Sequence, residues 1–561
     1  MKDTEMAGEV AEARWVGPLP LLAELIRRLG IPETIDACCG RDDPRQILSI
    51  GERILAVLLS VFCGYRPLYR VKDFYTDTAA ELLFGYGIRP EHLNDDCLAR
   101  ALDAMADAGP ARVFSAVAMQ VCLREEIAWK AVHFDTTSVS LYGEYREGAS
   151  GDLQLVRGYS RDGHPELRPF VLALLTNEEG VPLWAQMRNG NSADAGANAE
   201  AIEAYCAAFS ADQLRQTVWI GDSALVSKEN LDRIARVGLW FISRLPERFE
   251  AAERVKQAAW RAGAWEELGV LAQQERPDSA RYQVAEQEVE IEGRRYRAIV
   301  VRSSARAEEP VLERQLEGER VRLERALERL QRRRFGCRGD AEAACAAWLA
   351  AQGETLHRVR LEVVEQTREL AYARRGRPRR GERRPTVTEY VVRGQVEAPA
   401  GEVLAWEAYR RSSFVLVTNL EDREAWSARR VLEEYRAQGL VEQKFRFVKD
   451  PRYVPGVWLH TPRRIEALGY VFAMACLVYS VFERRVRRAL AERGAEIVVA
   501  GQRRTRRPTG TRLLEKLEGL VVARGADGRW HFASHHLRAG AVEVAELAGV
   551  DFAKAYAVAG T

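Results

Sequence analysis

Between Val132 and Leu245 the chain changes its hydrophobic period repeatedly, and this segment most restricts the possible folds. Val132–Tyr142 is rich in β-branched and aromatic residues and reads as a strand. Phe170–Thr176 and Val181–Met187 read as two more, joined by the turn Asn177-Glu178-Glu179-Gly180 into a hairpin. Helical spacing follows at Asn198–Phe209, a short buried strand at Thr217–Gly221, a helix at Ser227–Val237 and a strand at Leu239–Leu245. Strand, hairpin, helix, strand, helix, strand cannot be a bundle or a sandwich. The order predicts an α/β core, a mixed sheet with helices on its faces.

The flanks read differently. Residues 1–128 carry helical periodicity, with a dense apolar run at Ile54–Phe62 and Ser49 placed to cap its start. Such an all-α N-terminal domain would bind DNA, dimerise, or do both. After the first part of the core, residues 129–245, comes an interruption at 246–411. It holds a β-ribbon in Arg281–Val301, a charged helix at Glu309–Arg334 and an arginine-rich stretch. The core resumes over 412–485 with a strand at Ser413–Thr418 and one long helix over Asp422–Lys449. An apolar helix at 464–482 and a C-terminal region, 486–561, with a helix at Thr511–Val522, complete the reading.

The formal net charge of +2 hides an asymmetry. Arg374–Arg384 holds seven arginines and one glutamate, and Arg484–Arg507 nine arginines and two glutamates. Concentrated basic charge is the electrostatic footprint of a protein that meets a polyanion. The nine cysteines show no CxxC spacing, which argues against a disulfide framework and a zinc site. The N-terminus has no apolar run, and the longest apolar stretch, Leu468–Phe482, is 15 residues. These point to a cytoplasmic, nucleoid-associated protein with no membrane partner.

Three carboxylates stand out. Asp135 lies in the first strand, Asp222 directly follows TVWIG, and Glu442 sits on the long helix. Acidic residues at strand ends of a covered sheet converge on one edge. Their repulsion is relieved by divalent cations, and an all-oxygen donor set favours Mg²⁺ or Mn²⁺. Two such ions suit in-line phosphoryl displacement. On an uninterrupted helix Tyr435, Gln438, Glu442 and Lys449 share one face, bordered by Arg446, beside an apolar stripe of Ala437, Val441, Phe445 and Val448. The Glu would hold metal while the Lys and Tyr contact DNA. His133, His164 and His460 read as structural or DNA-proximal.

Strand-borne Asp135, Asp222 after a short strand, and Tyr-x2-Gln-x3-Glu-x6-Lys from Tyr435 to Lys449 resemble the DDE insertion-sequence transposases, in particular the IS-four-like branch. Similar stretches are GYSRDGHPELRPF (158–170), PLWAQMRNGNSAD (182–194), GDSA (221–224), GRPRRG (376–381) and SIGERILAVLL (49–59). The separations, 87 residues between the two Asp and 220 from Asp222 to Glu442, leave room for the branch's β-rich insertion. The resemblance implies an RNase H-like catalytic core, a metal triad of Asp135, Asp222 and Glu442 with two Mg²⁺ (or Mn²⁺) ions, and double-stranded DNA, the transposon ends and the target, as partner. It also implies a homodimer or higher multimer on DNA. Tyr435, Gln438, Arg446, Lys449, Arg377, Arg379 and Arg380 would contact DNA, with Gln438 standing where the branch has an arginine. Another RNase H-like nuclease and a catalytically silent DNA-binding derivative are the alternatives.

Overall fold

The computed structural model describes residues 12–40, 46–141, 153, 168–189, 194–208, 214–271, 276–306, 309–371, 383–450, 452–454 and 457–556. The chain divides into two compact units, Met1–Pro246 with Thr418–Thr561, and Glu247–Val417.

The first unit is built around five strands in the spatial order Pro182–Asn189, Arg168–Asn177, Ala131–Leu141, Val218–Gly221, Trp240–Arg244. The first two pairings are antiparallel, and the last two are parallel. Numbered along the chain this is 3-2-1-4-5, an RNase H-like mixed sheet. Helices cover both faces. On one, Phe134 stacks on Trp219 (centroids 5.8 Å apart), and Trp219 meets Tyr205 of the helix Asp194–Ala208 edge-on at 5.7 Å. On the other, Val139, Phe170, Leu172 and Leu174 join one core with Val441, Phe445 and Val448 of the helix Gly439–Lys449 and with the helix Pro462–Glu492. The chain re-enters this unit beside its last strand. Asn419 accepts the Phe241 amide at 2.9 Å and donates to the Leu239 carbonyl at 3.0 Å.

The N-terminal helices Leu19–Arg28, Ile31–Cys39, Ile50–Phe62, Asp95–Ala108 and Pro110–Arg124 belong to the same apolar core. Ser49 caps Ile50–Phe62, its hydroxyl accepting the Glu52 amide at 3.2 Å. Gly51 lets that helix touch its neighbour, because a Cβ there would lie 2.2 Å from the Pro32 carbonyl oxygen. Two readings of the ends are corrected. The N-terminal region is not wholly helical: Glu12–Trp15 is a strand, paired antiparallel with Val521–Arg524. The helix expected over Thr511–Val522 is only Gly510–Glu515, since Leu520 and Val522 serve that small sheet and its core.

Pro462–Glu492 runs 31 residues, twice the apolar stretch seen in the sequence. It is long and apolar enough to cross a membrane, but 94% of its most apolar window is buried inside the protein. A charged group completes this core. Lys444 donates to Glu483 at 2.6 Å, the two side chains being 3% and 5% exposed. Glu483 also accepts Arg487 at 2.7 Å and the Gly510 amide at 3.1 Å. Burial holds the Arg487 guanidinium below its ordinary range, against the pull of Glu483.

The second unit carries the antiparallel meander Glu266–Val270, Arg281–Ile291 and Arg294–Ser303. The long ribbon Arg358–Glu369 with Thr386–Glu397 forms a second sheet. The helices Glu250–Ala262 and Gly401–Ser412 pack through Trp260, Trp406 and Tyr409. The charged helix spans Glu309–Gln331.

Removing Lys444 leaves the buried Glu483 Oε2 without its partner, since Arg487 and the Gly510 amide both bond Oε1. Lys444→Met is therefore expected to lower unfolding stability by about 3–5 kcal/mol in a denaturant titration. A loss below about 1 kcal/mol would mean that the pair does not bind the two helices together.

Candidate active site

Asp135 is the fifth residue of its strand and is half-buried. Parallel pairing sets Ala131 against Val218, Val132 against Trp219 and His133 against Ile220, an offset of 87 residues. Asp135 and Asp222 differ by the same 87 residues, so the register carried two positions further brings them level. Adjacent strands lie about 4.8 Å apart, and level residues in parallel strands share a face. That face also carries Leu174, the antiparallel partner of Asp135, and is covered by the helices Gly439–Lys449 and Pro462–Glu492.

Local chemistry orients each carboxylate. Asp135 Oδ1 accepts the Thr136 amide at 2.8 Å. Asp222 keeps extended backbone and caps the 3₁₀ turn Ser223–Leu225, its Oδ1 accepting the Ala224 amide at 3.0 Å. Its carbonyl accepts the Ser243 hydroxyl at 2.7 Å, which ties it to the next strand. Gly221 lets the turn fold back over the strand end, because a Cβ there would meet Leu225 side-chain atoms at 3.1 Å.

The helix that carries Glu442 packs over this face. The expected single helix over Asp422–Lys449 is two, Ala428–Ala437 and Gly439–Lys449, joined at Gln438. There the bonding tightens to three-residue steps, Gln438 N to Tyr435 O (3.2 Å) and Val441 N to Gln438 O (3.0 Å). Gly439 weakens helix at this point, and the Gln438 side-chain amide donates to the Phe134 carbonyl at 3.4 Å. Gln438 thus pins the junction to the residue before Asp135, and Glu442 lies one turn further on, exposed. Val441, Phe445 and Val448 are buried, as their stripe predicted.

Among the described residues no three His, Cys, Asp or Glu side chains are gathered closely enough to hold a metal ion. The register carried past its last pair, His133 with Ile220, sets Asp135 and Asp222 level as hard oxygen donors, and Glu442 is exposed one turn beyond Gln438. Tyr435 is half-buried, while Arg446 and Lys449 are exposed. Arg377, Arg379 and Arg380 lie outside the described residues, as does His164.

Two features escaped the sequence reading, and a third, His133, reads there as structural or DNA-proximal. His133 shares the face of Asp135 and is fully buried, with no hydrogen bond to either ring nitrogen, and burial drives it down to about 4. It is a neutral residue beneath the site. Glu178 and Glu434 are both raised by burial, and the neighbouring Glu178 raises Glu434 further. Lys444 sits within the apolar stripe of its helix, and a lysine there was the available signal for a buried partner.

A family model described as a domain of unknown function (DUF4277) matches residues 11–119. No curated protein matches the sequence. Among solved structures the chain is similar to the piggyBac transposase in a synaptic complex with hairpin DNA, at 7% identity, with 91% of this chain and 82% of that one covered. The TM-score is 0.36, a loose superposition.

Capping and chemistry at Asp222 are separable. Asn caps as well as Asp, whereas Ala leaves the Ala224 amide unmet. Asp222→Asn is expected to leave thermal unfolding within about 0.5 kcal/mol of the parent, and Asp222→Ala to cost about 1 kcal/mol. Equal losses from the two would mean that the carboxylate charge itself holds the turn.

Proposed function

We propose that the protein is a transposase that cuts the ends of its own mobile element and joins them to target DNA. The observation carrying this reading is the parallel register of Ala131–Leu141 with Val218–Gly221 in an RNase H-like sheet, which carried past its last pair would set Asp135 level with Asp222, just beyond the second strand's end. The Glu442-bearing helix is seated on the same face and pinned beside Asp135 through Gln438.

Each residue has a part in the proposal. Asp135 and Asp222 are hard, anionic oxygen donors from rigid elements, a donor set suited to Mg²⁺ or Mn²⁺. Glu442, exposed and one turn from the pinned junction, would complete the set when its side chain and helix close on the pair. Bound divalent cations would supply activation of the attacking oxygen and neutralisation of charge on the leaving oxygen. Lys449 and Arg446, exposed on the last turn of that helix, would hold the DNA backbone as cations, and Tyr435 would contact a phosphate or base. Arg377, Arg379 and Arg380 would add sequence-independent attraction. The protein would act on double-stranded DNA in the cytoplasm, as a dimer or higher multimer.

One observation favours a second reading, a non-cleaving DNA-binding derivative of this fold: among the described residues no three His, Cys, Asp or Glu side chains gather closely enough to hold a metal ion. A nicking assay on duplexes carrying the element's terminal repeats separates the two. Asp135→Asn, Asp222→Asn and Glu442→Gln are each expected to cut the strand-cleavage rate at least 100-fold in Mg²⁺, while end-DNA affinity stays within about threefold of the parent. Chelation is expected to do the same to the parent. Cleavage by Asp135→Asn at the parental rate would sink the mechanism; no cleavage by the parent on its own ends would favour the second reading.

A further inference from the structure

The arginine-rich stretch 484–507 looks uniform in sequence, but the structure divides it into two chemically different halves. The first half lies on the last turns of Pro462–Glu492 and is engaged internally. Arg484 pairs with Glu179, Arg485 with Glu125, Arg487 with the buried Glu483 and Arg488 with Glu492. Arg484 and Arg485 tie the helix to distant carboxylates, while Arg487 and Arg488 pair within the helix itself, the latter in a solvent-exposed contact.

The second half is a β-hairpin, Ile497–Val499 paired antiparallel with Arg503–Thr505. Gly501 and Gln502 take positive φ, +78° and +58°, to make the turn. The base of the hairpin is fixed. Ile497 and Val499 are buried in the main core, and Lys516 donates to the Val498 carbonyl at 2.8 Å while pairing with Glu543 at 2.9 Å. Its outer surface is basic. Residues 501–507 hold four arginines and no acid, and Arg503, Arg504, Arg506 and Arg507 are all exposed. Only Arg506 has an acidic neighbour among the described residues, Glu496 at 3.4 Å, and that contact is solvent-exposed. Arg507 moreover lies near enough to Arg487 to disfavour its charge.

A rigidly based hairpin with uncompensated arginines clustered on it gains nothing for folding, since like charges repel. A row of phosphates removes that repulsion, and a two-stranded ribbon is of a size that a duplex major groove admits. We infer that the hairpin Ile497–Thr505, with the trailing Arg506 and Arg507, is a wing that grips the phosphate backbone of duplex DNA without reading its sequence. The inference rests on the reading of this protein as a DNA-acting enzyme and assigns one of its contacts to the C-terminal segment.

Fluorescence anisotropy of the full chain with two labelled duplexes, one carrying the terminal repeat and one scrambled, between 50 and 200 mM salt tests it. Each phosphate contact adds about 0.9 to the slope of log affinity against log salt. The triple variant Arg503→Ala/Arg504→Ala/Arg507→Ala is expected to flatten that slope by about 2–3 on both duplexes. The matching triple Lys variant is expected to keep the parental slope, because the point charges remain. Arg484→Ala/Arg485→Ala is expected to lower the melting temperature and leave the slope alone. A parental slope in the triple Ala variant, a loss confined to the terminal-repeat duplex, or no binding of either duplex by the parent would each overturn the wing. A protein that never cuts but shows the wing-dependent slope would sink the transposase reading and keep the wing. Cleavage with an unchanged slope would do the reverse.

Discussion

The hydrogen-bonded ladder between Ala131–Leu141 and Val218–Gly221 is the constraint on which the rest of the candidate site depends. Its parallel register, held over Ala131–His133, projects Asp135 and Asp222 to one level and one face although 87 residues separate them. A slip of one residue would turn one carboxylate to the opposite face, among Phe134, Trp219 and Tyr205, where no cation could balance it. The aromatic stack behind the sheet and the apolar layer in front both oppose such a slip. The acidic pair is therefore positioned by packing on either side of it, with little contribution from contacts of its own.

Glu442 is held differently. The stripe of Val441, Phe445 and Val448 sinks its helix into the core, and Lys444–Glu483 fastens that helix to Pro462–Glu492. The long helix touches the N-terminal helices, the sheet and the C-terminal helix Arg538–Leu547, so one element carries the mechanical connection among all of them. Gln438 then anchors the start of the Glu442 helix to the strand of Asp135. A junction of two short helices with tightened hydrogen bonds is a place where a small rotation is cheap. Such a rotation, by swinging Glu442 toward the aspartates, is the motion that the proposed chemistry requires.

Much of the core was legible because its signals are local. The five strands of the central sheet in the first unit lie within two residues of their expected positions, since β-branched runs and turn residues mark them directly. The N-cap at Ser49 and the buried stripe beside Glu442 follow from spacing alone. The misreadings arose where partners are distant. Thr511–Val522 has helical composition, yet its last residues pair with Glu12–Trp15 about 500 positions away. The break at Gln438 coincides with a side-chain hydrogen bond to a strand carbonyl about 300 positions away. The ribbon Arg358–Glu369 with Thr386–Glu397 was missed because its residues are mostly polar and exposed, so the period-two alternation is weak.

The sequence by itself determined which side chains are available: two aspartates in strand contexts, a glutamate beside an apolar helical stripe, and arginines in two dense runs. Those are properties of neighbours along the chain, and periodicity and composition report them. Tertiary structure alone decided the register that carries the two aspartates level, the exposure of Glu442, and that four of the nine arginines of 484–507 pair with carboxylates on their helix and its neighbours while the hairpin arginines face solvent. Register, burial and ion pairing depend on residues hundreds of positions apart meeting in space, and no local pattern encodes which of them meet.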